Sequence, residues 1–169
     1  MNPDSNSFRK GMSQFATGVA VVTVPVSEDK ALGVTINSFT SVSLDPPLIL
    51  YCMKRTAEAY ANLIASPFFG VSILSDKQEL LARRCTQKGG GELTDLEFFT
   101  GHNDCPLIKN AAANFVCDLH HLHSGGDHSV ILGQVLDVNF DESISPLAFH
   151  RSQFWSMNTC QPLPQVSNN

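Results

Sequence analysis

Short apolar runs separated by turn residues constrain the fold of this chain more than any other feature. Val19–Val24 is β-branched almost throughout, and Leu48–Met53 is apolar throughout and follows Asp45-Pro46-Pro47. β-Branched residues favour strands, and an apolar run bounded by proline is typical of a buried strand. Further strands are predicted at Ala31–Asn37, Phe39–Leu44, Phe68–Leu74, Asn114–His123 and His128–Val138, with a last one within Pro146–Trp155.

Three helices are predicted between these strands. Phe8, Met12, Phe15 and Ala16 fall on one face of a helix over Ser7–Ala16. The other two helices are an alanine-rich one at Thr56–Ala65 and one at Asp76–Thr86, which opens with the capping-box pattern Ser75-x-x-Gln78.

The order of elements favours a mainly β fold. Strands that follow one another through short turns favour an antiparallel barrel over a parallel α/β sheet. The segment Glu92–Asn110 has no clear period and is predicted to be mostly loop. Neither G-x-G-x-x-G nor G-x-x-x-x-G-K-[ST] occurs, so a nucleotide would be held without a Rossmann or P-loop device. We expect one domain over residues 1–155 and a polar tail over 156–169.

Composition excludes several classes of protein. The formal net charge of −5 argues against a nucleic-acid binder, and no apolar stretch of about 18 residues could span a membrane. The polar N-terminus lacks the apolar core of a secretory signal. Five scattered cysteines form no C-x-x-C pair, which indicates reduced thiols in a cytoplasmic protein. Charged residues make up only 16% of the chain, so we expect a second copy to cover part of the surface.

The residues that could carry chemistry are concentrated in Gly33–Pro47. Small polar side chains in this segment suit a planar, heteroatom-rich ligand, because backbone groups stay within reach. The alternative is an ordinary polar hairpin and turn. The four histidines His120, His121, His123 and His128 invite a metal site, but no carboxylate or cysteine completes a set of about four ligands, so none is predicted. No local motif supports a cysteine nucleophile.

Four motifs, in this order and spacing, resemble the flavin reductase family of two-component monooxygenases. The resemblance covers Phe8–Phe154, nearly the whole chain. The motifs are Phe15-Ala16-Thr17-Gly18-Val19-Ala20-Val21-Val22-Thr23, Asn37-Ser38-Phe39-Thr40-Ser41-Val42-Ser43-Leu44-Asp45-Pro46-Pro47, Gly126-Asp127-His128, and Pro146-Leu147-Ala148-Phe149-His150-Arg151.

This resemblance implies a six-stranded split β-barrel of Greek-key type with about three flanking helices, assembled as a homodimer. It implies FMN or FAD as flavin, NADH or NADPH as reductant, and a partner flavin-dependent monooxygenase. His128 is the implied catalytic residue, near the nicotinamide and oriented by Asp127. The implied cofactor-binding residues are Leu32, Gly33, Val34, Thr35, Asn37, Ser38, Ser41, Val42, Ser43, Cys52, Met53, Lys54, Thr56, Ala57, Arg84, Cys85, Asp127, Phe149, His150 and Arg151.

The chain departs from the family pattern at the expected phosphate site. Ala57 and Ala59 stand where family members carry hydroxyl residues, although a one-residue shift would place Thr56 in that role. Cys85 stands where phenylalanine is common. The cations Lys54 and Arg55 remain, either to contact phosphate or to lie in solvent. We therefore expect weaker or altered flavin binding.

Three functional hypotheses follow. The first is an NAD(P)H:flavin oxidoreductase, in which the cofactors supply the hydride chemistry and the protein stacks and orients two rings. The second is an FMN-binding split-barrel protein with little or no turnover. The third is a dimerising barrel domain that has lost flavin.

Overall fold

The computed structural model describes residues 4–88 and 91–159. Its helices are α1 (Ser5–Met12), α2 (Tyr60–Ala65) and α3 (Glu79–Arg84), with short 3-10 helices at Asp76–Gln78, His102–Asp104 and Met157–Thr159. The strands are β1 (Thr17–Gly18), β2 (Ala20–Ser27), β3 (Lys30–Ile36), β4 (Thr40–Leu44), β5 (Pro47–Lys54), β6 (Phe68–Ile73), β7 (Glu92–Thr94), β8 (Phe98–Thr100), β9 (Pro106–Ile108), β10 (Ala113–Gly125), β11 (His128–Phe140), β12 (Leu147–His150) and β13 (Gln153–Ser156). No helix in this part of the chain is long and apolar enough to cross a membrane.

One antiparallel sheet dominates the molecule. Its eight strands run in the order β4-β5-β11-β10-β6-β2-β3-β7, and two small sheets, β1-β12-β13 and β8-β9, complete the fold. The mainly β, antiparallel class is confirmed. The main sheet has eight strands where the resemblance implies six, partly because β7 adds to the edge at β3 through the pairs Lys30–Thr94, Ala31–Leu93 and Leu32–Glu92.

The prediction of a loop over Glu92–Asn110 is wrong. This segment contains β7, β8 and β9, each of three residues. Such strands are too short to show a period in the sequence. They form because tertiary packing buries their apolar side chains, among them Leu93, Leu107 and Ile108.

Two helices start or end elsewhere than predicted. Helix α1 stops at Met12, so Phe15 and Ala16 lie beyond it, and α2 begins only at Tyr60. The capping box is confirmed, since the backbone N–H of Ser75 donates to the Gln78 side-chain oxygen at 2.9 Å. The 3-10 helix that this box opens continues directly into α3.

The strands predicted at Asn114–His123 and His128–Val138 are confirmed, and they form one long hairpin. Strands β10 and β11 pair from Ala113–Phe140 to Gly125–His128. Gly126 and Asp127 form the two-residue turn, in which Gly126 has φ of 67°, in the left-handed region where glycine is favoured. The hairpin thereby fixes Asp127 and His128 at one end of the main sheet.

Two buried clusters lie on opposite faces of the sheet. Strand β2 alternates between them, with Ala20, Val22 and Val24 in one cluster and Val21 in the other. The first cluster continues through Tyr51, Phe69, Val71 and Ile131, and the second through Leu74, Ala82, Leu93 and Ile108.

Gly133 on β11 has no room for a side chain. A Cβ atom there would lie 2.5 Å from the ring of fully buried Phe69 and 3.1 Å from Cys117 Cβ. We expect Gly133→Ala to lower the free energy of unfolding by about 1–3 kcal/mol, since overpacking forces side chains off their rotamers. Urea titration measures this. Gly11→Ala is the control, because nothing lies within 4 Å of its Cβ position. Equal midpoints for the two variants would contradict the prediction.

Candidate active site

Three adjoining cavities form a groove along β3 and the loop after it. The His128 lobe, about 290 Å³, shares Val34, Lys54 and Ala57 with the Lys88 lobe, about 650 Å³. It shares Asn37 and Ser38 with the Phe149 lobe, about 860 Å³. The other main residues of the His128 lobe are Thr35, Cys52, Met53 and His128. Those of the Lys88 lobe are Leu32, Gly33, Thr56, Asn62, Cys85 and Lys88. Those of the Phe149 lobe are Met12, Phe15, Thr17, Phe39, Phe149 and Ser152.

The backbone of β3 is fixed on the side of the Lys88 lobe. The Gly33 N–H donates to the Gly91 carbonyl at 2.7 Å, and the Thr35 N–H donates to the Cys85 carbonyl at 3.3 Å. These bonds attach the segment after α3 to the strand that lines the groove. The floor of the groove is therefore built from main chain in a sheet, which favours a preorganised site.

Two hydroxyl groups that the sequence offers as ligand contacts bond to the protein instead. Thr35 Oγ1 donates to the Ala82 carbonyl at 2.8 Å. Ser38 Oγ accepts the Cys52 N–H at 2.9 Å and donates to the Cys52 carbonyl at 3.2 Å. Both side chains thus hold the walls of the groove in place, and in the His128 lobe Asn37, Lys54, His128 and main-chain groups are the other polar contacts.

Ser38→Ala tests this supporting role. The variant leaves the two half-buried backbone groups of Cys52 without their partner, so we expect about 1–2 kcal/mol less stability and roughly fivefold weaker binding of the flavin that the sequence resemblance implies. Thermal unfolding and flavin fluorescence titration measure the two effects. Ser143→Ala is the control, since its hydroxyl contacts only the exposed carboxylate of Asp141. Unchanged flavin affinity in Ser38→Ala would show that the bridge does not shape the site.

His128 and Asp127 form a pair at the edge of the groove. His128 Nδ1 lies 2.8 Å from Asp127 Oδ1, and this hydrogen bond is the main cause that lowers the pKa of the Asp127 carboxyl below its usual value. His128 also stands opposite Lys54 in the pairing of β11 with β5. The next residue, Ser129, is buried and hydrogen-bonds the Tyr60 hydroxyl at 2.7 Å. The imidazole is therefore held at Nδ1, and Nε2 makes no hydrogen bond to the described residues.

The groove brings together most of the residues predicted for the site. Those that line one of its lobes are Leu32, Gly33, Val34, Thr35, Asn37, Ser38, Cys52, Met53, Lys54, Thr56, Ala57, Cys85, His128 and Phe149. Those that line none of the three lobes are Ser41, Val42, Ser43, Arg84, Asp127, His150 and Arg151.

The predicted arginines are occupied by other partners. Arg84 forms an ion pair with Glu97. Arg151 donates from Nε and Nη2 to the Gln14 side-chain oxygen, at 3.0 and 2.8 Å. Ser41–Ser43 lies on β4, at the edge of the main sheet, and is largely exposed.

Several residues of the groove were not predicted from the sequence. Asn62 and Lys88 reach the Lys88 lobe from α2 and from the segment after α3, and no local motif signals either of them. Thr17 in the Phe149 lobe belongs to the first family-like motif, and its hydroxyl is buried without a hydrogen-bond partner among the described residues.

Three cysteines of the described residues, Cys85, Cys105 and Cys117, are buried. Burial raises the pKa of the Cys85 thiol to about 11 and those of Cys105 and Cys117 to about 12, so all three stay protonated at neutral pH. A protonated thiol is a poor nucleophile. Within residues 4–88 and 91–159 no three His, Cys, Asp or Glu side chains are grouped so that they could hold a metal ion.

The antiparallel sheet and its groove define the class of protein. The family model described as flavin reductase like domain matches residues 12–157, and the chain belongs to this family.

Relatives of known activity lie within the same family. An NADH-dependent FAD reductase of Streptomyces globisporus is 41% identical over 138 residues, which cover 79% of this chain and 75% of that protein. The solved structure of the Streptomyces globisporus NADH:FAD oxidoreductase SgcE6, in complex with NAD and FAD fragments, superposes with a TM-score of 0.82 at 35% identity and covers 98% of this chain and 96% of its own.

A second solved structure belongs to a two-component system. BorF, the flavin reductase component of a bacterial two-component tryptophan halogenase, superposes with a TM-score of 0.82 at 36% identity and covers 90% of this chain and 98% of its own. Relatives differ in length: the chain spans only 42% of a Rhizobium meliloti protein that is 34% identical over 132 residues.

Proposed function

We propose that this protein is an NAD(P)H:flavin oxidoreductase that reduces FAD or FMN and supplies the reduced flavin to a partner monooxygenase. The observation that carries the proposal is the groove itself, in which residues of β3, Asn37, Lys54 and His128 line three adjoining cavities that share lining residues. The family's reductases, including one that uses NADH and FAD, support the same reaction. They also disfavour the alternative of a flavin-binding protein without turnover.

The groove fits a flavin in its donor set and shape. A flavin needs a flat apolar wall for its ring system and polar groups at one edge, and Val34, Met53 and Ala57 lie beside Asn37 and Lys54. The Lys88 lobe is lined by two cations suited to phosphate groups, Lys54 and Lys88, and by two carboxylates, Glu58 and Glu92, of which Glu92 is ion-paired with Lys30. We assign the predicted residues that line none of the lobes, Ser41–Ser43, Arg84, Asp127, His150 and Arg151, to the periphery of this site.

Hydride transfer from the nicotinamide to the flavin is the chemistry that the two bound cofactors supply. The protein's part is to bind both rings in contact, exclude water and place hydrogen-bond donors at the flavin edge. Asn37 and the main chain after β3 provide such donors. His128, held by Asp127, contacts the nicotinamide nucleotide, and the Phe149 lobe receives part of it.

We further propose a homodimer whose main sheets close into split barrels. Exposed apolar residues support a covered surface: Leu44 on β4 is 93% exposed and Phe140 on β11 is 66% exposed, with Val42 and Val138 nearby on the same strands. Free thiols at the described cysteines support a cytoplasmic location. Residues 1–155 would form the domain; of the tail, residues 160–169 lie outside the described part of the chain.

Charged substitutions on the proposed dimer surface test whether the protein forms this dimer. The double variant Leu44→Asp and Phe140→Asp is expected to sediment as a monomer, since each unpaired buried carboxylate would cost several kcal/mol at an interface. Analytical ultracentrifugation measures the change. Leu80→Asp is the control, because Leu80 on α3 is 83% exposed and lies on another element. A double variant that remains dimeric would place the interface elsewhere.

One assay tests the reductase proposal. The purified protein is mixed with NADH or NADPH and with FAD or FMN, and the absorbance of the reduced nicotinamide is followed. Rapid loss that depends on added flavin supports the proposal. A yellow protein that does not consume the nicotinamide would favour the binder, and a colourless, inert protein would favour a domain without flavin.

A further inference from the structure

We infer that Arg55 is a positioning residue, which holds the tip of the β10–β11 hairpin so that His128 is presented to the nicotinamide nucleotide. The inference rests on the proposed function, since it assigns His128 to the binding of that nucleotide. Arg55 itself lines none of the three lobes of the groove.

Arg55 makes three hydrogen bonds to the hairpin tip. Its Nη1 donates to Ser124 Oγ at 3.2 Å, and its Nη2 donates to the Gly126 carbonyl. Its backbone N–H donates to the Asp127 carbonyl at 3.1 Å. Arg55, which directly follows β5, thus bonds to the end of β10 and to both residues of the turn that precedes His128.

The hairpin tip depends on this contact because it extends past its neighbour in the sheet. Strand β6 pairs with β10 only as far as Asp118, so in the ladder of described residues His121–Gly125 pairs with β11 alone. On the other side β5 pairs with β11 up to Lys54–His128. Arg55 follows this last pair directly and continues the attachment around the turn.

The contact requires the planar fork of arginine. A guanidinium donates in two fixed directions, so it can bond a side-chain oxygen and a main-chain oxygen simultaneously. A lysine ammonium at the same place could keep the charge and reach one of the two acceptors. The adjacent Lys54 lines both the His128 lobe and the Lys88 lobe, so the two cations have separate roles: Lys54 faces the groove and Arg55 holds the turn.

Loosening the tip affects one cofactor more than the other. The predicted flavin contacts on β3 and the loop after it are fixed by bonds to Ala82, Cys85, Gly91 and Cys52, none of which involves the hairpin tip. His128 is bonded to Asp127, whose carbonyl Arg55 holds. Loss of the clamp is therefore expected to raise the KM for NADH while the flavin affinity stays near the wild-type value.

The test uses Arg55→Gln, Arg55→Lys and Ser124→Ala in the full-length protein. We expect Arg55→Gln to raise the KM for NADH about tenfold, with the kcat at saturating NADH and the flavin dissociation constant within about twofold of wild type. Arg55→Lys and Ser124→Ala are expected to give intermediate KM values. Lys109→Gln is the control, since Lys109 also donates to a backbone carbonyl, that of Asp95, at 2.6 Å, but lines none of the lobes.

The outcomes separate this inference from the proposed function. A wild-type protein that neither binds flavin nor oxidises NADH would refute the proposed function. An active wild type with an unchanged KM for NADH in Arg55→Gln would refute the inference alone. Equal losses of NADH and flavin affinity in Arg55→Gln, or the same KM increase in Lys109→Gln, would also overturn it, since they would indicate general loosening of the fold.

Discussion

Replacing His128 with alanine is expected to lower kcat/KM for NADH about tenfold to a hundredfold, the effect of losing one hydrogen bond to a charged ligand group. The flavin dissociation constant is expected to change far less, because His128 contributes one side chain to a lobe whose other walls come from β3, β5 and the loop after β3. Steady-state kinetics at subsaturating NADH and a separate flavin titration measure the two quantities.

Two further variants make this result specific. His123→Ala removes an exposed histidine from the same hairpin, opposite Val130, and is expected to behave as wild type. Asp127→Asn keeps the imidazole but removes the carboxylate beside Nδ1. Its kcat/KM for NADH is therefore expected to lie between the values of His123→Ala and His128→Ala. Flavin affinity that falls as much as kcat/KM in His128→Ala would count against a role of His128 in nicotinamide binding.

The lowered pKa of Asp127 restricts which groups can cause a pH dependence of NADH turnover. Its pKa is lowered, mainly by the hydrogen bond from His128, so the carboxylate is ionised throughout the neutral range and its interaction is lost only as the pH falls through that lowered value. A decline in NADH turnover between neutral and mildly acidic pH therefore would not arise from protonation of Asp127. Over this pH range, the dependence of NADH turnover on pH is expected to be the same in wild type and in Arg55→Gln.

Strands could be predicted from the sequence where both the apolar pattern and the length of a segment are typical of a strand. The strands of the β10–β11 hairpin were predicted from two segments on either side of Ser124-Gly125-Gly126-Asp127, because glycine and aspartate mark a turn in the local sequence. The three short strands in Glu92–Thr94, Phe98–Thr100 and Pro106–Ile108 leave none. Their pairing is decided by partners far along the chain, such as Lys30–Leu32 for β7.

Residue types predicted the position of the site better than the role of each side chain. Thr35, Ser38 and Lys54 were all expected to contact ligand, yet two of them are hydrogen-bonded to Ala82 and Cys52. A hydroxyl serves a ligand or the backbone equally well, and only the three-dimensional structure decides which. Arg55 shows the same limit, since its partners lie 69 and 71 residues away in the chain.

Filling the centre of the groove is expected to have the largest effect on flavin. Ala57 is half-buried, packs against the first buried cluster and lines both the His128 lobe and the Lys88 lobe. Since the core side is occupied, the ring in Ala57→Phe must project into the junction of the two lobes. We expect flavin affinity to fall, because the ring occupies space proposed for the flavin, and flavin-dependent NADH oxidation to fall at least about a hundredfold, because a small displacement of a reacting group can lower the rate by that factor.

Ala65→Phe is the matched control for that substitution. Ala65 is exposed at the end of α2, on the same segment, so the same ring there lies in solvent and flavin binding is expected to be unchanged. Thermal unfolding shows whether each variant is folded, and fluorescence titration with FAD and FMN gives the affinities. A folded Ala57→Phe protein with wild-type affinity would mean that the flavin lies outside the groove. Val34 on β3 and Lys54 on β5 also line both lobes. The proposal that these two strands contact the flavin would then be wrong as well.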